Sequence, residues 1–158
     1  NHDDFSNSVL IGLQPRGVFL ARKIKEQLKK ILKKDIPLGL LDITFFRDDF
    51  RRKSKPLEAN ETDISFLIED KKVILIDDVL FTGRSVRSAL DAMTAYGRPE
   101  TVELLVLIER KYTRDLPIQP DYIGKSINSR LTERVLVDWA APEDVEKDSV
   151  WLLNKKSK

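Results

Sequence analysis

The sequence predicts an α/β fold in which a central, mainly parallel sheet carries helices on both faces, with a small cap appended. Three observations predict it. Ser8–Leu13 (SVLIGL), Val73–Val79 (VILIDDV) and Thr101–Ile108 (TVELLVLI) are near-continuous aliphatic runs, as expected of strands buried on both faces. Helical periodicity lies between such runs, which makes a strand–helix–strand alternation. The chain has 158 residues, 41% of them apolar, about the size of one domain around one core.

After the Ser8–Leu13 strand, Leu20, Ile24, Leu28, Ile31 and Leu32 recur at helical spacing with lysines between them, predicting a helix over Val18–Leu32. Leu38–Phe46 reads as the second strand. Arg47–Thr62 is polar and about 16 residues long, a length that predicts a mobile functional loop rather than a simple connection. The Val73–Val79 strand leads into a helix near Arg84–Tyr96 with Val86, Leu90 and Met93 on one face. Gly97-Arg98-Pro99 closes that helix, glycine and then proline. The Thr101–Ile108 strand follows. Shorter runs at Tyr122–Ile123, Arg134–Asp138 and Val150–Leu153 are punctuated by Pro117, Pro120 and Pro142. This last third abandons the alternation and reads as the cap. Residues 1–158 read as a single domain.

Composition narrows the chemistry. Without cysteine there is no disulfide framework, thiolate nucleophile or thiolate metal site. His2 is the only histidine and sits at a terminus expected to be mobile, which argues against Ser-His-Asp catalysis and histidine-based zinc or iron sites. No apolar run reaches the roughly 18 residues of a membrane span, and Asn1-His2-Asp3-Asp4 does not read as a signal peptide. A soluble cytoplasmic domain is expected, with carboxylates, hydroxyls, Arg/Lys and backbone amides as its tools. Net charge is only +2, yet Leu20–Lys34 carries seven basic residues against Glu26 alone, and Glu58–Asp70 carries five acids and no base. Such segregation permits a basic face without naming its partner.

The informative stretch is Val73–Val86, VILIDDVLFTGRSV. A buried strand delivers Asp77 and Asp78 to its carboxyl end, and a Thr-Gly-Arg-Ser turn then opens a helix. Ligands of open α/β sheets bind at the carboxyl ends of strands. A helix N-terminus offers unpaired amides and a positive dipole end to a phosphate. Thr82 and Ser85 add hydroxyls, and Gly83 permits close backbone approach. Asp77 and Asp78 can accept from ribose hydroxyls, directly or through a magnesium-bound water. The plainer reading is a helix capped by Thr82 or Ser85 beside two surface acids. Adjacent carboxylates closing an aliphatic run repel each other near a low-dielectric core, which favours a phosphosugar site. A triphosphatase reading fails: Gly12 and Gly17 have Walker A spacing, but Val18-Phe19 stands where Lys-Ser/Thr is required.

Val73–Val86 resembles the phosphoribosyl pyrophosphate (PRPP) signature of type I phosphoribosyltransferases. The chain as a whole resembles the PyrR family, bifunctional pyrimidine-operon attenuation regulators and uracil phosphoribosyltransferases. IGLQPRGVFLA (Ile11–Ala21), LDITFFRDD (Leu41–Asp49), VILIDDVLFTGRSVRSALDA (Val73–Ala92), YGRPETVELLVLIER (Tyr96–Arg110) and LPIQPDYIGKSI (Leu116–Ile127) carry that resemblance. Pro15 stands where the family usually has threonine, and Phe81 where tyrosine is common. Few residues precede Ser8, where family members begin with an extra helical segment.

The resemblance implies a type I phosphoribosyltransferase fold whose hood comes mainly from about residue 111 onward. It implies uracil displacing pyrophosphate from the ribose C1 of magnesium-PRPP to give UMP. By matching motif, Asp77 and Asp78 would hold the ribose hydroxyls, and the Mg²⁺ through water and PRPP. Thr82, Gly83, Arg84, Ser85 and Val86 would cradle the 5′-phosphate, while Arg16 and Gly17 would grip pyrophosphate. Asp77, Asp78 and Arg16 would be the catalytic set. Arg47, Asp48, Asp49, Arg51 and Arg52 would begin a mobile lid, and Tyr122, Ile123, Gly124 and Lys125 would lie in the hood over the base, beside Phe81. Purine-using relatives tend to carry an acid at the position of Phe81; a phenyl group exchanges no proton and favours a pyrimidine. The implied partners are PRPP, uracil, UMP or UTP and pyrimidine-operon leader mRNA, with a dimeric or tetrameric homo-oligomer and no membrane. Two rivals remain: an RNA-binding attenuator with little catalysis, using the Leu20–Lys34 helix and Arg110-Lys111-Tyr112-Thr113-Arg114, or a purine phosphoribosyltransferase.

Overall fold

The computed structural model describes residues 2–46, 61–140 and 147–154. The first aliphatic run forms β1 (Ser8–Leu13), buried at all six positions. Helix α1 (Gly17–Leu32) follows, then β2 (Leu38–Leu41), β3 (Lys72–Leu80), α2 (Arg84–Met93), β4 (Thr101–Lys111) and β5 (Tyr122–Asn128). These five strands form one parallel sheet in the order β2-β1-β3-β4-β5. A separate antiparallel hairpin joins β6 (Glu133–Asp138) to β7 (Ser149–Asn154).

Period-2 alternation sorts the strand side chains onto two faces. Val9, Ile11 and Leu13 of β1 and Val73 and Leu75 of β3 pack with Val86, Ala89, Ala92 and Met93 of α2. Leu10, Ile74 and Ile76 face the opposite way and pack with Leu20 and Ala21 of α1. The two helices therefore cover opposite faces, as the continuous aliphatic strands require. Each such Val, Leu, Ile or Met side chain contributes roughly 1.5–3 kcal/mol by leaving water.

Four expectations need correction. The second strand ends at Leu41, because Asp42 Oδ1 accepts from the Thr44 N–H (3.2 Å) and hydroxyl (2.7 Å). That local turn competes with the ladder and leaves Thr44–Phe46 as a 3₁₀ turn. Tyr122–Lys125 belong to the main sheet, in register with β4, so the cap within the described residues is the β6–β7 hairpin alone. His2 is not at a loose end: it is 9% exposed, shares hydrogen bonds with Ser8 Oγ (2.7 Å) and Glu103 Oε2 (2.8 Å), and stacks on Phe5. Finally, Arg110 and Thr113 of the suggested RNA surface are 4% and 6% exposed, whereas Tyr112 stands fully out. The predicted lid residues Arg47, Asp48, Asp49, Arg51 and Arg52 lie outside the described residues. Among those described, no helix is long and apolar enough to cross a membrane.

Candidate active site

Helix α1 carries the chain from β1 to β2 on one side, and α2 carries it from β3 to β4 on the other. The crossovers diverge between β1 and β3, and in open α/β sheets that divergence opens a crevice at the strands' carboxyl ends. Two loops meet there. One follows β1 and holds Arg16 and Gly17; the other follows β3 and runs from Asp77 to the start of α2.

Gly17 decides how closely they approach. A Cβ at Gly17 would lie 2.5 Å from the Ile76 carbonyl oxygen and 3.2 Å from Asp77 Oδ1. Only glycine lets the Arg16 loop rest on the aspartate backbone. Asp77 Oδ1 accepts the Asp78 N–H at 2.9 Å. Asp78 is 6% exposed, and its Oδ2 is buried with no hydrogen-bond partner. Burial, and then the neighbouring Asp78 carboxylate, push the Asp77 carboxyl well above its usual range. Burial also raises Asp78, against the opposing pull of the Arg16 guanidinium. Two acids that resist ionisation, one with an orphaned oxygen, form a site ready for donors or a cation. Among the described residues no cluster of three or more ligating side chains exists, so a metal cage made by protein alone is absent. The pair does fit Mg²⁺ that arrives with phosphate and water ligands of its own.

The turn after β3 opens α2. Gly83 takes φ +90 at the N-cap of α2 and, as a glycine, offers no side chain to cap the helix. Thr82, one residue earlier, partly fills that part: its Oγ1 accepts the Arg84 N–H at 3.4 Å. Val86 points into the core at 4% exposure, which leaves only its backbone amide for a ligand. Arg84 pairs with Asp115 at 3.1 Å.

Sequence reasoning missed the braces behind this turn. The Asp115 and Leu116 N–H groups donate to the Thr82 carbonyl at 3.0 and 3.2 Å. Arg114 Nη1 donates to the Phe81 carbonyl at 2.6 Å, and its Nη2 pairs with Glu109 at 2.9 Å. The Arg110 guanidinium lies 4.0 Å from the centre of the Phe81 ring, and burial pulls its pKa below the usual arginine value. The available signal was two arginines four apart, one at the end of the strand neighbouring the aspartates and one just past it. On the other flank, Arg16 Nη1 donates to the Val137 carbonyl of β6.

The crevice thus gathers Arg16, Gly17, Asp77, Asp78, Phe81 and Thr82–Val86. Two of the predicted hood residues, Tyr122 and Lys125, make contacts of their own, and Ile123 stands level with Asp77 through Val106 of β4. Tyr122 pairs with mid-strand Leu105, and its hydroxyl donates to Glu103 at 2.6 Å, on the side of the sheet where β4 begins. Lys125 lines an apolar groove of about 260 Å³ with Ile108, Ile127, Val135 and Trp151.

The aspartate pair and the Gly83 turn lie at the switch point of a 2-1-3-4-5 sheet, and the phosphoribosyl transferase domain model matches residues 1–141. The chain belongs to that family, with the type I fold. Within it the chain falls in the PyrR family. It is 47% identical to the bifunctional protein PyrR of Acetivibrio thermocellus over 149 residues, 89% of this chain and 80% of that protein. It is 44% identical to the Streptococcus mutans protein of the same name over 153 residues, 97% of this chain and 82% of that protein. Among solved structures, a Bacillus anthracis hypoxanthine-guanine phosphoribosyltransferase superposes with TM-score 0.59 at 17% identity, covering 85% of this chain and 73% of that one. A Staphylococcus aureus hypoxanthine phosphoribosyltransferase gives 0.57 at 19%, covering 82% and 65%. Likeness at that identity speaks for the fold alone.

Proposed function

We propose that this chain transfers the phosphoribosyl group of PRPP to uracil, giving UMP and pyrophosphate. The observation that carries this reading is the meeting of the orphaned Asp78 carboxylate, the Gly83 turn and the Arg16 loop in one crevice. The bond from ribose C1 to pyrophosphate oxygen breaks, a bond to the uracil ring nitrogen forms, and the proton of that nitrogen is released. The 5′-phosphate docks on the amides of residues 82–86, and Asp77 and Asp78 accept from the ribose hydroxyls. Charge-assisted bonds of this kind contribute roughly 1.5–3 kcal/mol each. Arg16 meets the negative charge that grows on the departing pyrophosphate, where preorganised donors lower the barrier most. Mg²⁺, when bound, neutralises pyrophosphate charge; Asp77 and Asp78 would hold it through water and substrate. Phe81 lines the base side and offers no proton to a purine ring, which favours a pyrimidine.

The test is PRPP-dependent nucleotide formation with uracil, hypoxanthine and guanine side by side. UMP as the dominant product supports the reading, and preference for either purine overturns it.

A regulatory activity on RNA, responsive to UMP or UTP, is the second part of the proposal. It draws on the relatives' name, bifunctional, and on α1. Lys23, Lys25, Lys29 and Lys34 are engaged by Asp148, Asp35 and Asp4, which leaves Arg22, Lys30 and Lys33 as the exposed cations of that helix best placed for phosphates. Affinity for a pyrimidine-operon leader RNA should fall linearly in log–log salt plots, with a smaller slope in the triple Ala variant. An unchanged slope removes α1 from the RNA face. The proposed setting is a cytoplasmic homo-oligomer, dimer or tetramer.

A further inference from the structure

Arg110 is a buried cation that forms no ion pair among the described residues, and side-chain entropy and desolvation both argue against such a placement. At 4% exposure its hydrogen bonds go to neutral groups, and the Glu133 carboxylate stands near without pairing with it. Its Nε donates to Ser129 Oγ at 2.7 Å, and its Nη2 donates to the carbonyls of Arg130 (2.8 Å) and Glu133 (3.1 Å). These bonds tie the end of β4 to the β5–β6 turn and aim the guanidinium plane at one face of Phe81, 4.0 Å from the ring centre. A methionine would fill a similar volume but would strand the Arg130 and Glu133 carbonyls, so Arg110 has a structural part in joining β4 to the β5–β6 turn. A planar, always-charged fork pressed on an aromatic face has another use, because it fixes the ring's tilt and draws electron density toward itself.

We propose that Arg110 is a positioning residue for the base: by clamping one face of Phe81, it presents the opposite face as a rigid, electron-depleted platform for a carbonyl-rich pyrimidine ring. This rests on the functional reading above. The backbone of Phe81 is pinned separately by Arg114, so Arg110 acts on the ring and Arg114 on the chain that carries the phosphate turn. The two arginines therefore predict different kinetic signatures. Disturbing Arg110 moves recognition of the base and leaves recognition of PRPP alone.

The experiment is steady-state kinetics on the full chain with Arg110→Met, Arg110→Lys, Ser129→Ala, Phe81→Leu and the Arg110→Met/Phe81→Leu double variant. Expected for Arg110→Met is a KM for uracil raised about 5- to 20-fold, with the KM for PRPP within twofold. Arg110→Lys, which keeps charge without the planar fork, should recover part of the loss. Ser129→Ala, which frees one tie, should raise the uracil KM about 2- to 4-fold. In the Phe81→Leu background Arg110→Met should add less than twofold, because the partner face is gone. Multiplicative losses in the double variant, or equal rises in both KM values, overturn the role. Should Arg110→Met not fold, Ser129→Ala and Arg110→Lys decide the matter by the same two KM values. A parent chain that forms no UMP strikes the functional reading itself and this proposal with it; a parent that turns over uracil normally confines any failure to Arg110.

Discussion

Arg16 and Val137 lie 121 residues apart and meet through one hydrogen bond, guanidinium Nη1 to backbone carbonyl at 3.2 Å. The C-terminal hairpin thereby holds the arginine that faces the aspartate pair. The same hairpin is clamped to α1 by Trp139, which stacks on Phe19 with centroids 6.2 Å apart, and by Lys23, which pairs with Asp148 at 2.9 Å. The placement of Arg16 at one end of the crevice therefore depends on a two-stranded ribbon outside the main sheet.

Trp139→Ala should loosen that clamp. Its ring packs against both helix and hairpin clusters, so truncation should cost about 2–4 kcal/mol in urea unfolding. If Arg16 meets pyrophosphate as proposed, the KM for PRPP should rise more than the KM for uracil. Trp139→Phe should be close to neutral, because the indole N–H is buried without a partner. Equal effects on both substrates would show that the hairpin only stabilises.

The aspartates give a pH signature. Burial raises the Asp77 carboxyl in the folded chain above its unfolded value of about 3.9. A group raised this way binds its proton more tightly when folded, so its ionisation costs stability as pH climbs from about 4 through the raised value. Asp77→Asn removes that cost and still accepts the Asp78 N–H. The variant should melt roughly 2–4 °C above the parent at neutral pH for each kcal/mol relieved, and the gap should close as pH falls toward 4. A gap that widens on acidification would refute the assignment.

Turnover should respond in the opposite direction. Asp78→Asn is expected to lose about 10²-fold or more in kcat/KM while circular dichroism stays unchanged. Kinetics equal to the parent's would remove the acids from the chemistry.

Gly83→Ala tests the phosphate turn. Its φ of +90 disfavours a side chain, and a methyl group would sit 3.0 Å from Ile118 Cγ1. A stability loss of about 1–2 kcal/mol is expected, with the larger effect on the KM for PRPP. A variant with parental PRPP kinetics would place the anion elsewhere.

Arg114→Ala should cost about 2–4 kcal/mol in thermal or urea unfolding. It strands Glu109, whose other oxygen is held by Ser126 at 2.7 Å, and frees the Phe81 carbonyl. Glu109→Gln should cost less, since an amide oxygen still accepts from the guanidinium.

Local chemistry determined much of this protein from sequence alone. The continuous aliphatic runs dictate β1 and β3, the 3.6-residue period dictates α1, and Asp77-Asp78 before a Thr-Gly turn points to the candidate site. Each of those signals is carried by neighbours in the chain, and strand alternation or helix spacing translates it directly into a face. Tertiary structure decided the rest. Tyr122–Lys125 join the sheet because β4 supplies a ladder for them, and a short, proline-flanked run says nothing of that partner. Arg110, Arg114 and His2 look like surface residues by type, yet each is drawn in by acceptors 4 to 101 positions away. A polar side chain is buried only where its partners are assembled around it, and that assembly is a property of the fold.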